Sequence, residues 1–212
     1  MLLPDYPLQT ARLRLRPFRT EDFADLLAIQ SLPQVARYLM WEPRGATEVR
    51  QVLDTKIGQW ELNAEGETLA LAVVLPATGT VIGEVSLRWL SREHRQGEIG
   101  YVFHPDHHGH GYAAEAAEVL LRLGFAGLGL HRIIGRCDAR NLSSARLLER
   151  LGMRREAHFV HNEIFKGEWG DELLYAMLDH EWAGRRQAPS TSSDQPRAQT
   201  EAVGPRERAD GR

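Results

Sequence analysis

Apolar residues recur along the chain with two different periods, and the switches between them divide it into elements. Arg12-Leu13-Arg14-Leu15-Arg16 alternates with period two and is closed by Pro17, which predicts a strand. Thr20 can cap a short helix with Phe23, Leu26 and Leu27 on one side, and Pro33 opens a second helical turn that ends near Tyr38. From about Thr47 to Asn63, Val49, Val52, Leu53, Ile57 and Trp60 keep helical spacing and predict a third helix. Two β-rich runs, 68–75 and 81–90, are separated by a turn with Pro76 and Gly79, which suits a hairpin. A strand at 98–103, a helix from Gly111 to about Leu128, a strand at 131–138 and a helix at 143–151 ending on Gly152 come next. Two last strands are expected at about 154–165 and 171–178. The order β-α-α-α-β-β-β-α-β-α-β-β predicts an α/β (α+β) chain, with a mixed, mostly antiparallel twisted central sheet and helices on both faces.

Composition changes the picture at the C-terminal end. From Arg185 to Arg212 the only large aliphatic residue is Val203, and proline occurs three times. Such a segment buries too little apolar surface to offset its ordering entropy, so 185–212 is expected to be a disordered tail behind one domain at 8–184. Over the full 212 residues the 42% hydrophobic and 26% charged content is ordinary for a folded soluble chain. No run of apolar residues is long enough to span a bilayer, and the first residues lack the pattern of an export signal, so a cytoplasmic protein is expected. The single cysteine, Cys137, excludes an internal disulfide and a thiolate metal cluster. A formal charge of −3 argues against nucleic acid or an anionic membrane as the main partner.

The densest chemistry lies at 98–116, Glu-Ile-Gly-Tyr-Val-Phe-His-Pro-Asp-His-His-Gly-His-Gly-Tyr-Ala-Ala-Glu-Ala. A strand runs into a loop with Gly109 and Gly111, and that loop opens a helix. Glycines let the backbone turn sharply, so that the N–H groups of His108, Gly109, His110, Gly111 and Tyr112 can converge on one anion, with the helix N-terminus adding positive potential. Two other chemistries fit part of the segment. Gly109-x-Gly111-x-x-Ala114 matches a dinucleotide fingerprint, with Asp138 where a ribose-binding acid would sit. The chain after Asp138 is too short for a second mononucleotide half, however, and the preceding strands read as an antiparallel meander. The four histidines and Asp106 at 104–110 invite a metal, yet they match no zinc spacing and no metal is expected.

Asn141 and Ser144 fall just past a strand and at the start of a helix, within Asn-x-x-Ser-Ala-Arg-Leu-Leu-Glu-Arg-Leu-Gly-Met. Together with Thr10–Phe18, the 98–116 segment and Lys166–Trp182, this motif makes residues 8–182 resemble the GNAT N-acetyltransferases, in the branch of the RimJ and RimL ribosomal-protein acetyltransferases. The resemblance implies the GNAT acyl-CoA N-acyltransferase fold, with two central strands split apart and acetyl-CoA wedged between them. The pantetheine would pair with the strand edge at Tyr101, Val102 and Phe103. The pyrophosphate would rest on His108 to Tyr112, with Ala113 continuing the helix, and Asn141 and Ser144 would hold the pantetheine region. Asp106 departs from the family, which usually has Gln or Arg there, but main-chain donors do not depend on it.

The implied reaction is direct acetyl transfer to an amine in a ternary complex. Glu98, through water, is the candidate base, or else a salt-bridged strand-end carboxylate. Ser144 is the candidate donor to the leaving thiolate, although Asn141 and Ser144 are also good helix caps. Cys137 reads as a buried small residue. Trp41 and Glu42 in the loop at 40–44, Glu84 and Trp89 on the strand at 81–90, and the segment 161–170 are expected to line the acceptor side. The expected acceptor is a protein N-terminal α-amine, of ribosomal-protein type. A small amine (amino acid, polyamine or aminoglycoside) or a non-catalytic acyl-CoA-binding regulator are the alternatives, acting as a monomer or a homodimer.

Overall fold

A computed structural model describes residues 1–187, so most of the expected tail, 188–212, lies outside the described residues. Eight strands form one sheet in the order β1-β2-β3-β4-β5-β6-β8-β7. These are β1 (Leu8–Gln9), β2 (Arg14–Arg16), β3 (Thr68–Val74), β4 (Val81–Ser91), β5 (Gln96–Phe103), β6 (Arg132–Asp138), β7 (Arg154–Phe165) and β8 (Glu168–Leu178). Every neighbouring pair is antiparallel except β5 with β6. Among the described residues six α-helices accompany them: α1 (Phe23–Gln30), α2 (Pro33–Ala36), α3 (Ala46–Ile57), α4 (Tyr112–Arg122), α5 (Leu142–Arg150) and α6 (Asp179–Gln187).

Strand periodicity sorts the core onto two faces. On β3, Leu69, Leu71 and Val73 point to one side and join Ala116, Ala117, Leu120 and Leu121 of α4 and Leu148 of α5. Ala72 and Val74 point to the other and meet Leu26 of α1 with Val49 and Leu53 of α3. Leu13 and Leu15 are fully buried, whereas the flanking arginines Arg12 and Arg16 are paired with acids, Glu115 and Asp22 respectively.

Three expectations change. The third helix stops at Ile57, because the chain leaves it at Gly58 so that Leu62 can exchange backbone bonds with Leu2 (2.7 and 2.9 Å). Trp60 is therefore beyond that helix and partly exposed. Leu2 belongs to the main core, so packing begins upstream of residue 8. At the other end α6 carries regular structure to Gln187, past the expected boundary at 184; Glu181 caps it by accepting from the Leu178 amide (2.7 Å), and Trp182 packs on Phe125.

One junction positions the site. β5 stays paired with β4 up to Phe103↔Gly83, and β6 stays paired with β8 up to Asp138↔Glu172. Between β5 and β6 only Gln96↔Arg132, Gly97↔Ile133 and Glu98↔Ile134 pair. Past Glu98 each strand follows its own antiparallel partner, so the sheet splits there and, among the described residues, 99–103 have an edge without a neighbouring strand. The strands thus open as the resemblance implied.

Candidate active site

A cavity of about 230 Å³ fills the split. Ile99, Gly100, Tyr101 and Val102 of β5 form one wall, Arg136 and Cys137 of β6 the other, and Asn141, at the N-cap of α5, closes one end with Ser144 and Leu148 of that helix. Tyr38 and Leu39, Arg136 and Cys137 also border a second cavity of about 150 Å³, which continues it toward Asp138, Glu163, Phe165, Asp171 and Glu172. The result is a continuous trough that is apolar and hydroxyl-bearing at the α5 end and acidic at the other.

The glycine loop stands at the end of β5. Gly109 and Gly111 are both left-handed (φ 80° and 79°), the region that glycine enters without a Cβ penalty, and Gly111 is the N-cap of α4. The His108 amide is already donated to Pro105 O (2.9 Å), so that donor is engaged inside the loop. Among the described residues, the amides of Gly109, His110, Gly111, Tyr112 and Ala113 have no protein acceptor, so the free run begins one residue later than the sequence suggested. The histidines brace this loop. His108 Nε2 must donate to Phe103 O (3.1 Å) and His110 Nδ1 to His108 O (2.9 Å), because a carbonyl only accepts, and His110 stacks on Tyr112. Burial, with His104 beside it, holds the His107 pKa below its ordinary value, so its ring is neutral near pH 7.

A cation that sequence reading did not assign to the loop comes from the N-terminal segment. Arg12 Nη1 donates to His110 O (2.8 Å), and its guanidinium lies over the Tyr112 ring. Glu115 collects the Thr10 hydroxyl (2.6 Å), the Arg12 amide (2.8 Å) and Arg12 Nε (2.7 Å), which ties this segment to the first turn of α4. Arg12 and Glu115 stand 103 positions apart, so local periodicity carries no trace of the pair.

At the α5 end, Asn141 is the N-cap and its Oδ1 accepts from the Ser144 amide (3.1 Å), so its capping role is real, and both side chains border the cavity. Tyr101 reaches across the split to Ser144, with its hydroxyl 2.8 Å from Ser144 Oγ. Burial raises the Tyr101 pKa, so this phenol keeps its proton and holds Ser144 in place. Tyr101→Phe is expected to cut turnover about fivefold, the size of one hydrogen bond, with coenzyme affinity unchanged. Equal turnover in variant and parent would remove Tyr101 from the positioning of Ser144. Cys137 is not a sequestered core residue, since it borders both cavities; burial pushes its thiol up to about 11, which leaves only about one thiolate in ten thousand at pH 7.

The acceptor candidates separate. Glu84 borders the larger cavity and is paired with Lys56 at 2.9 Å, off the hydrogen-bond direction. Glu42 and Trp41 border neither cavity: Glu42 is bound to Lys166 (3.2 Å), and Trp41 is covered by Arg44. Trp89 is a correction: it is 6% exposed inside the main core, opposite Gly97 at the closed end of the sheet, and its indole donates to Ser91 O. Glu98 occupies the last paired rung of the split and borders neither cavity. The side chains that do border the acidic end, Arg136, Asp138, Asp171 and Glu172, were missed as a group. They meet only through the β6–β8 register, which joins residues more than thirty positions apart.

The open strand edge and the free amides fit the two parts of acetyl-CoA: extended backbone for the pantetheine amides, and converging N–H groups for the diphosphate. Residues 12–154 match the family model of the acetyltransferase (GNAT) domain. The chain is similar to the uncharacterized N-acetyltransferase YnaD of Bacillus subtilis, at 34% identity over 82% of this chain and 98% of that protein. It is also similar to the putative ribosomal N-acetyltransferase YdaF of the same organism, at 27% identity over 84% and 94% of the two chains. The fold matches that of the Vibrio cholerae spermidine N-acetyltransferase solved with CoA and spermine, with a TM-score of 0.69 and 23% identity over 82% and 99%. With a split sheet, a glycine loop at a helix N-terminus and a family model that covers most of its length, the chain belongs to the GNAT family of N-acetyltransferases.

Proposed function

We propose that this N-acetyltransferase acetylates the α-amine of a protein N-terminus, by direct transfer from acetyl-CoA within a ternary complex. The observation that carries the reading is the single trough, with a main-chain donor edge at one end and a mixed-charge acceptor cavity at the other. Acetyl-CoA supplies an activated thioester; the chain's residues do the rest. The edge at 101–103 aligns the thioester, a main-chain N–H there faces the carbonyl oxygen as it becomes negative, and Ser144 donates toward the sulfur. An acyl-cysteine route is disfavoured by the raised pKa of Cys137.

An α-amine, with a pKa of about 7.8, is unprotonated near neutrality a few hundred times more often than a lysine side chain at about 10.4. The Arg136 side chain, 47% exposed, suits the carbonyl oxygens of a peptide and repels a polycation, while the carboxylates suit an ammonium. The likeness to a putative ribosomal acetyltransferase supports the same acceptor class and a RimJ/RimL-like, cytoplasmic role. A second reading, a polyamine, is favoured by the carboxylates Asp138, Glu163, Asp171 and Glu172 along the smaller cavity.

Thiol release from acetyl-CoA, measured with N-terminally free peptides, the same peptides blocked at the N-terminus but carrying lysine, and spermidine, separates these readings. Free peptides are expected to exceed spermidine by at least about tenfold in kcat/KM, or about 1.4 kcal/mol, with blocked peptides inert. Preference for spermidine selects the polyamine reading. Tight coenzyme binding with no acceptor consumed selects a non-catalytic regulator.

A further inference from the structure

We infer that Glu172 on β8 is the carboxylate that takes a proton from the acceptor's ammonium group, with Glu98 behind it as a positioning residue. The inference rests on the N-acetyltransferase reading above.

Glu172 pairs in register with Asp138, on the rung where β6 has fully parted from β5. Strand alternation puts Glu98, Arg136 and Glu172 on one face of the sheet and Tyr101, Cys137 and Ser144 on the other side of the split. Proton acceptor and proton donor would thus flank the trough from opposite faces, as a reaction that deprotonates nitrogen and protonates sulfur requires.

Two of the three other carboxylates of the smaller cavity are committed. Asp138 is held by Arg140 through Nε (2.9 Å) and Nη2 (2.6 Å), and Asp171 accepts from the His161 amide (3.0 Å) and lies 3.0 Å from His158 Nε2. Both have pKa values below their ordinary range. Glu163 sits on β7, one strand further from the split. Glu172 is 12% exposed and accepts one neutral hydrogen bond, from Asn162 Nδ2 (3.0 Å), while its nearest cation, Arg136 Nη1, stands off at 3.6 Å. Burial raises its pKa, Arg136 opposes, and the charges of Glu163 on β7 and Glu98 on β5 add to the rise. With Asp138 on β6 these are the charged groups that face it, and their sum moves the carboxyl toward neutral pH, where a base is most effective.

The protons balance. One ammonium proton passes to Glu172, which frees the nitrogen lone pair. The N–C bond forms at the thioester carbonyl and the C–S bond breaks; Ser144 gives its hydroxyl proton to the sulfur and is reprotonated by a second nitrogen proton. The third stays on the amide, and Glu172 returns its proton to solvent.

The test is kcat/KM against pH for the parent, Glu172→Gln and Glu98→Gln, together with carboxyl carbon NMR titration of the parent. Near about pH 6.5 Glu172→Gln is expected to lose roughly 100-fold, recovering as pH approaches the amine's own pKa, with coenzyme affinity unchanged. Glu98→Gln is expected to move the acid limb to lower pH, because a like charge has gone. The carboxyl of Glu172 is expected to titrate above the exposed glutamates. A uniform loss with parallel profiles, a raised KM at constant kcat, or an ordinary Glu172 titration overturns the proposal. A parent that acetylates no amine fails the acetyltransferase reading as well, whereas a parent that turns over beside an unaltered Glu172→Gln profile fails this inference alone.

Discussion

Gly111→Glu is expected to weaken coenzyme A binding at least about 100-fold, close to 2.7 kcal/mol, in a calorimetric titration. A new carboxylate would stand among the free amides from Gly109 to Ala113, against the diphosphate they would otherwise hold. Position 111 is also left-handed (φ 79°), where a side chain costs about 1–2 kcal/mol of folding stability whether or not the coenzyme is bound. Arg12 Nη2, which would lie 3.4 Å from the new Cβ, can reach that carboxylate but already serves Glu115. Gly129→Glu is the matching control, since Gly129 is also left-handed (φ 69°), has nothing within 4 Å of the place a Cβ would take, and borders neither cavity. Both variants are expected to lose about 2–6 °C in melting temperature, and only Gly111→Glu to lose affinity. Equal coenzyme affinity in the two would move the phosphate site away from this loop.

How much of this site can be read from sequence follows the distance over which its parts are joined. The glycine loop and the Asn141–Ser144 cap are each one local turn, so residue order alone reveals them. Helix and strand order also emerges from periodicity, because β4 and β5 alternate and α4 keeps its apolar stripe. The acceptor cavity does not emerge, because Arg136 and Glu172 become neighbours only when β8 inserts beside β6. Trp89 misleads for the opposite reason: an aromatic on a strand near the chemistry in sequence lies at the closed end in space. Gly58 illustrates a competition that periodicity cannot weigh. Trp60 keeps the helical phase, but pairing of Leu62 with Leu2 buries two leucines and wins.

The largest expected loss of stability lies away from the trough, at the buried pair that fastens β2 to the turn before α1. Asp22 accepts from Arg16 Nη1 and Nη2, both at 2.7 Å, and from the Arg19 amide at 2.8 Å. The two side chains are only 12% and 6% exposed. Asp22→Ala leaves a buried guanidinium without a counter-charge, a change that typically costs about 3–5 kcal/mol. For a domain of this size the melting temperature is expected to fall by about 10 °C. Desolvated pairs are poorly screened, so the loss is expected to persist at high salt, unlike that from exposed pairs such as Arg185 with Glu118. Replacing both partners, as in Arg16→Met with Asp22→Leu, is expected to recover much of the stability, because the cost lies in the orphaned charge rather than in the missing bond. If Asp22→Ala melts within about 2 °C of the parent, Arg16 has found solvent and the pair contributes no more than a surface contact.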